Sequence, residues 1–310
     1  MKTPFIILAL FFIFSACNNN TPGKKLAENA PLISRSYTDD LGREIKLPKA
    51  PQRVISIAPN ITEIVYAIGA GDKLIAASEA CDYPQATDTI TRIATYPALD
   101  MEQLQYLNPD LILTTNEIFS TDQIARIEAL GNPVFVQSYT GLDDVFKHMR
   151  MLGKMLGVET RANAVADSLS EIVARVKAET DNQARFKTMV MISDDPLIVA
   201  GSSGILHDLI SLAGGENAVK DLNDPYPTVT PEYIVKTKPE IIILPTKDEQ
   251  LYASIVSQSP WLSTIPADIN KRVYIIDPDL VYRPGPRMVE GLLIMTQSLH
   301  SALTSESFVK

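Results

Sequence analysis

Apolar and polar positions follow two different periodicities along the chain. Short apolar runs, typical of strands buried on both faces, occur at 53–57, 74–77, 111–114, 134–137, 188–192, 241–244 and 273–276. Apolar residues at helical spacing occur at 60–68, 101–107, 121–130, 142–156, 160–180, 205–212, 232–237 and 288–303. An earlier segment, 37–45, has the alternating flanks and the central Asp and Gly of a hairpin. This alternation of strands and helices predicts an α/β fold with mostly parallel central sheets.

The pattern repeats after 130 residues, where 102–113 falls on 232–243. Each copy consists of a short helix, a proline that ends it, an acidic residue and an apolar strand. A chance match of so common a unit is the alternative interpretation. Two predicted helices also end at glycines, at 69–71 and at 214–215. The repeat and these helix ends together favour two related lobes over one large sheet.

A long helical stretch lies between the two copies and predicts how the lobes are joined. One helix runs to Gly157, and the next, 160–180, is long enough to reach about 30 Å at the usual rise per residue. We expect an N-terminal lobe at 34–157, an interlobe helix at 158–182 and a C-terminal lobe at 183–310. A single helix resists bending, so large hinge closure is disfavoured.

The N-terminus has the features of an export signal. Lys2 is the only charge before ten apolar residues at 5–14, and this run is too short to span a bilayer as a helix. Residues 1–17 therefore predict a signal peptide, and the polar segment 18–33 a flexible tether; a buried N-terminal element is the alternative. The tetrapeptide that ends at Cys17 resembles the lipobox of bacterial lipoproteins, which implies a lipid anchor on Cys17 at a membrane surface.

Composition narrows the function classes. The chain has 310 residues, 45% of them hydrophobic and 21% charged, which excludes a disordered protein, and its net charge of −9 argues against nucleic acid as a partner. Of its two cysteines, Cys17 and Cys81, a lipidated Cys17 would leave no intramolecular disulfide.

Enzymatic motifs are not found in the sequence. There is no phosphate-binding glycine loop, and 201–204 lacks the spacing of a nucleophile elbow. His148, His207 and His300 are isolated, so we expect no metal site and no cofactor. The chain is predicted not to be an enzyme; a chelatase-like enzyme or a surface-binding protein without a transport role is the alternative class.

Five short motifs, in order, resemble one family. They lie at 39–43, 53–63, 108–113, 214–217 and 272–274. By these motifs and their order, the chain resembles the substrate-binding proteins of ABC importers in the iron-siderophore, haem and cobalamin class. The segment Asp82-Tyr83-Pro84 is further similar to the cobalamin-binding branch.

The resemblance implies a receptor on the periplasmic face of a bacterial membrane that captures a corrinoid between its lobes. Haem or a ferric siderophore is the alternative ligand. Aromatic rings suit the flat apolar face of such a metal chelate, and the cleft is expected beyond the carboxyl ends of the strands. Candidate ligand-binding residues at such ends and loops are Tyr83, Tyr96, Tyr226, Tyr282 and Arg283. Each tyrosine alone is equally well explained as a surface residue packed on a loop.

The same resemblance implies docking to an ABC importer permease through one carboxylate on each lobe. Glu232 matches the second-lobe position, and Asp122 is the candidate in the first lobe. Glu102 is equivalent to Glu232 in the internal repeat and keeps the first-lobe assignment open. Simple stabilisation of helix N-termini by acidic residues is the alternative explanation. We expect the receptor to act as a monomer.

Overall fold

The computed structural model describes residues 35–47 and 50–303. The predicted signal peptide, the predicted tether and Cys17, the predicted lipidation site, lie outside the described residues. The description begins with an antiparallel hairpin of β1 (Arg35–Thr38) and β2 (Glu44–Leu47), as the sequence pattern predicts. Asp39 stabilises its turn, because its carboxylate accepts the backbone N–H groups of Leu41 and Arg43.

The first lobe is built on a parallel sheet of five strands. They are β3 (Val54–Ser56), β4 (Leu74–Ser78), β5 (Thr91–Ile93), β6 (Leu111–Thr115) and β7 (Val134–Gln137). Their order across the sheet is β5-β4-β3-β6-β7. The helices are α1 (Pro59–Ala67), α2 (Met101–Leu107), α3 (Thr121–Ala129) and α4 (Leu142–Leu156). The short strand β5 is the one that the apolar pattern did not indicate.

A second mixed sheet forms the other lobe. Its strands are β8 (Lys187–Asp194), β9 (Leu197–Val199), β10 (Glu216–Asn217), β11 (Ile241–Pro245) and β12 (Val273–Ile276). Four are parallel in the order β10-β8-β11-β12, and β9 pairs antiparallel with β8. The remaining helices are α5 (Glu159–Thr180), α6 (Ile205–Leu212), α7 (Pro231–Thr237), α8 (Leu251–Gln258), α9 (Pro266–Ile269) and α10 (Met288–Leu299). The predicted fold class is confirmed, with α5 as the joining helix; the exact domain boundaries remain a prediction.

The internal repeat is visible in the structure. Helices α2 and α7, and strands β6 and β11, begin and end 130 residues apart. Each short helix ends on a left-handed residue, Asn108 or Lys238. The acid before each strand accepts a hydrogen bond from a backbone N–H at or just before the start of the neighbouring strand. Asp110 accepts it from Gln52 and Glu240 from Lys187, at 2.9 Å in both lobes. The two units are therefore alike down to their hydrogen bonds.

One hydrophobic core runs through both lobes. The same cluster contains Val54 and Ile61 of the first lobe and Val190 and Leu292 of the second, linked through the buried faces of α4, α5, α6 and α10. Gly153 of α4 lets α5 approach closely, because a Cβ there would overlap the side chain of Ala162. Burial of this shared apolar surface stabilises the two lobes as one body. Among the described residues, no helix is both long and apolar enough to span a membrane.

Candidate functional site

A cavity of about 190 Å³ opens where the carboxyl ends of β3 and β6 face the other lobe. The first lobe contributes the start of α1, the loop 115–118 and Tyr139, and the second lobe contributes the loop 282–284. Asn60 joins the two sides, because its amide donates to the carbonyl of Pro284 at 3.2 Å. Crevices at the carboxyl ends of parallel strands are the usual ligand sites of α/β folds.

One of the two predicted tyrosines of the second lobe lines this cavity. Tyr282 lines it directly, and its pKa is raised by burial and by Tyr226 close by. The pKa of Tyr226 is likewise raised by burial and by the charge of Glu117 in the opposite lobe. Both phenols are therefore held in their neutral, protonated form.

An ion cluster between the lobes lies next to the cavity. Glu63 of α1 has a side chain only 2% exposed, and Arg287 donates to its two oxygens at 2.6 and 2.9 Å. Arg283 pairs with Asp82, with Asp279 at 3.1 Å and with Glu63 at 3.6 Å. The bond from Arg283 lowers the pKa of Asp82. Both guanidiniums are therefore neutralised by carboxylates of the chain itself.

A larger groove of about 540 Å³ lies beside the ion cluster. It runs between α1, α5 and α10, with mostly apolar walls that include Tyr66 and Ile172. Tyr83 lies at one side of the groove, where the Arg287 guanidinium stacks on its ring with a spacing of 4.0 Å. Glu63 and Arg287 border this groove as well.

A model of the periplasmic binding proteins matches residues 54–280, from the first sheet to the loop after β12. The chain belongs to this periplasmic binding protein family. The family assignment made from the sequence motifs is thereby confirmed.

The most similar relatives of this periplasmic binding protein include vitamin B12 binders. A vitamin B12-binding protein of Vibrio parahaemolyticus is 26% identical over 253 residues, which cover 81% of this chain and 90% of the relative. An ABC transporter substrate-binding lipoprotein of Bacillus subtilis, otherwise uncharacterized, is 26% identical and covers 95% of both chains. These relatives are substrate-binding proteins, and the family implies an ABC transporter as partner.

Solved structures give the same fold for proteins with different ligands. The periplasmic vitamin B12 binding protein of Vibrio cholerae has a TM-score of 0.73 and 26% identity, and the match covers 82% of this chain and 99% of that one. A periplasmic haem-binding protein of Roseiflexus has a TM-score of 0.71 at 23% identity, with 81% and 98% covered. The latter likeness shows the fold alone.

The structure brings some of the predicted ligand-binding residues of this periplasmic binding protein together. Tyr282 and Arg283 line the cleft cavity, and Tyr83 lies beyond the ion cluster at the groove. Tyr226, which is 46% exposed, and Tyr96, which is 88% exposed, line neither of these two cavities. The structure thus brings two of the five candidates together in the cleft cavity and leaves Tyr96 at the surface.

The candidate docking acids all lie in the first turns of helices. Glu232 and Glu102 are exposed at equivalent places on α7 and α2, and Asp122 is exposed on α3. Thr230 caps α7. The pKa of Glu232 is lowered, first by a hydrogen bond from the backbone N–H of Glu232 itself and then by a hydrogen bond with the side chain of Thr230.

Several residues of the site were missed in the sequence. They are Glu63 and Asp279 of the ion cluster, and Glu117 and Tyr139, which line the cavity. A signal for the last two was present, because they directly follow predicted strands and the carboxyl ends of parallel strands meet at one edge. The pairs that join the two lobes had no such signal, since Asp82 and Arg283, and likewise Glu63 and Arg287, are more than 200 positions apart.

Proposed function

We propose that this chain is an exported receptor that holds a corrinoid between its lobes and delivers it to the permease of an ABC importer. The vitamin B12-binding relatives support the corrinoid class. The observation that carries the choice of ligand is the neutralised state of Arg283 and Arg287.

Charge distinguishes the corrinoid from the alternative ligands. Haem carries two propionates, and many ferric siderophores are anionic, so their receptors need cations that are free to pair with them. Here Glu63, Asp82 and Asp279 already pair with both guanidiniums. A corrinoid presents neutral amides at its edge, which bind without a free guanidinium.

The tyrosines fit the same ligand. A broad ring face is covered at low entropic cost by flat side chains such as those of Tyr226 and Tyr282. Their raised pKa values oppose ionisation to phenolate, which is the form in which tyrosine ligates haem iron. The cleft therefore favours a stacked ring over an axially bound one.

Calorimetry with several ligands tests the proposal. The soluble chain starting after Cys17 should bind cyanocobalamin or dicyanocobinamide with sub-micromolar affinity, and haemin and a ferric hydroxamate much more weakly. Heat with haemin alone would move the assignment to haem. A chain that binds none of the four ligands would support the alternative class of a surface-binding or enzymatic protein.

The permease partner is proposed to contact Glu232 and Glu102. Their helices are equivalent in the repeat, so the two carboxylates stand at matched places on the two lobes. Two separated charge-assisted contacts would fix the orientation of the receptor on the importer. Asp122, on the non-equivalent helix α3, is the competing first-lobe residue.

A further inference from the structure

Glu117 differs from the other carboxylates of the cleft. It follows β6, is exposed, and lines the cavity together with Tyr139, Tyr282 and Arg283. Glu63, Asp82 and Asp279 each pair with a guanidinium. Within residues 35–47 and 50–303, Glu117 makes no ion pair within 4.0 Å.

The charge on Glu117 is not balanced by its surroundings. Arg283, the nearest cation of the cavity wall, is shared among three carboxylates. Tyr139 and Tyr282, which line the cavity together with Glu117, have raised pKa values and are neutral, and the charge of Glu117 also helps burial to raise the pKa of Tyr226. The cleft therefore has an excess of negative charge, located at one wall of the cavity.

A ligand that enters the cleft must respond to this charge. A neutral ring laid over Glu117 removes water from the carboxylate without replacing the lost interactions, which is unfavourable. A ring with a positive centre replaces that water with an opposite charge, and the attraction strengthens as solvent is excluded.

We propose that Glu117 is a specificity-determining residue that makes the cleft prefer cationic corrinoids over neutral ones. The inference rests on the proposed function, because it concerns the charge state of the same ligand. It adds to that function a preference among corrinoids with different axial ligands on the metal, because these ligands set the net charge of the corrinoid.

Two cobinamides with the same ring test the proposal. Dicyanocobinamide is neutral, and aquacyanocobinamide is a monocation. The native chain should bind the monocation roughly five- to tenfold more tightly at low ionic strength, as expected for one partly screened charge pair. High salt should reduce this preference, because the carboxylate is exposed in the empty cleft.

Variants assign the effect to the residue. Glu117→Gln should lose the preference and bind dicyanocobinamide at least as well as the native chain. Glu179→Gln, which removes an equal charge from the exposed end of α5, should keep the preference. Circular dichroism of both variants checks that each is folded.

The outcomes are distinct. Equal affinity for the two cobinamides, or a preference that survives in Glu117→Gln, would overturn the role of Glu117. A preference that is insensitive to salt and accompanied by a changed corrin absorption spectrum would indicate direct cobalt ligation, which also overturns it. Failure of both cobinamides to bind would remove the proposed function, and this inference with it.

Discussion

At the scale of single residues, Glu63 is the most deeply buried charged side chain of the ion cluster. Its carboxylate is almost fully removed from water, yet it accepts two bonds from Arg287 and lies near Arg283. A buried ion pair gains little over an apolar pair, but removal of one partner leaves a charge with no compensation. The pairing of these residues is thus a condition for the fold around the cleft.

Arg287→Met should therefore destabilise the protein. Met keeps an apolar stem over Tyr83 but leaves Glu63 with only the more distant Arg283, so we expect a loss of about 3 kcal/mol in the free energy of unfolding. Urea denaturation followed by circular dichroism measures it. Arg150→Met, which breaks an exposed pair with Asp167, should change stability by less than about 1 kcal/mol. Similar losses in the two variants would contradict the importance assigned to the buried pair.

At the scale of elements, the approach of α4 to α5 depends on Gly153. A methyl group there would overlap Ala162 across the interface. Helix propensity alone predicts that Ala in place of Gly stabilises a helix by about 1 kcal/mol. Overpacking predicts the opposite sign, with a cost of about 1–3 kcal/mol.

Gly153→Ala should destabilise the protein by about 1–2 kcal/mol, because the overlap outweighs the gain in propensity. Adding Ala162→Gly should recover much of that loss, since it removes the opposing methyl group. Thermal or urea unfolding of the two single variants and the double variant gives the coupling between the sites. A Gly153→Ala variant more stable than the native chain, or purely additive effects of the two substitutions, would show that the α4–α5 interface accommodates the added methyl group.

The elements also show what the sequence could predict. Strands β7 and β12 and helices α2 and α6 begin and end at the predicted residues, because each is an uninterrupted apolar run or a helix with clear stops. Helix α10 ends at Leu299, before the predicted 303. Strands β5, β9 and β10 were missed because two or three residues are too few to show a period.

The site was harder to predict than the fold. Tyr282 and Arg283 could be proposed from their positions after a predicted strand, and the structure places both at the cleft. That Arg283 also pairs across the lobes with Asp82 could not be foreseen, since the two residues are 201 positions apart in the chain. Pairing of this kind is a property of the assembled lobes.

At the scale of the whole molecule, the shared core and α5 join two related lobes. The helices that carry Glu102 and Glu232 are part of these lobes and occupy equivalent places in them. The proposed docking contacts therefore depend on how the lobes are joined as well as on the two carboxylates.

The double variant Glu102→Gln with Glu232→Gln should lower transport in reconstituted vesicles about tenfold or more, because both charge-assisted contacts are lost. Its affinity for cyanocobalamin, measured by calorimetry, should equal that of the native chain. Asp122→Asn serves as the comparison, with transport unchanged. If Asp122→Asn lowered transport and Glu102→Gln did not, the first-lobe contact would belong to α3.

The long helix α5 between the lobes predicts little hinge closure when cargo binds. If the spacing of the two carboxylates is the same with and without cargo, the importer cannot distinguish a filled receptor from an empty one by that spacing. Receptors without cargo would then compete with loaded receptors for binding to the transporter. In the same vesicles, an excess of receptor over vitamin would slow uptake, and a cell would gain by producing no more receptor than its supply of cargo can fill.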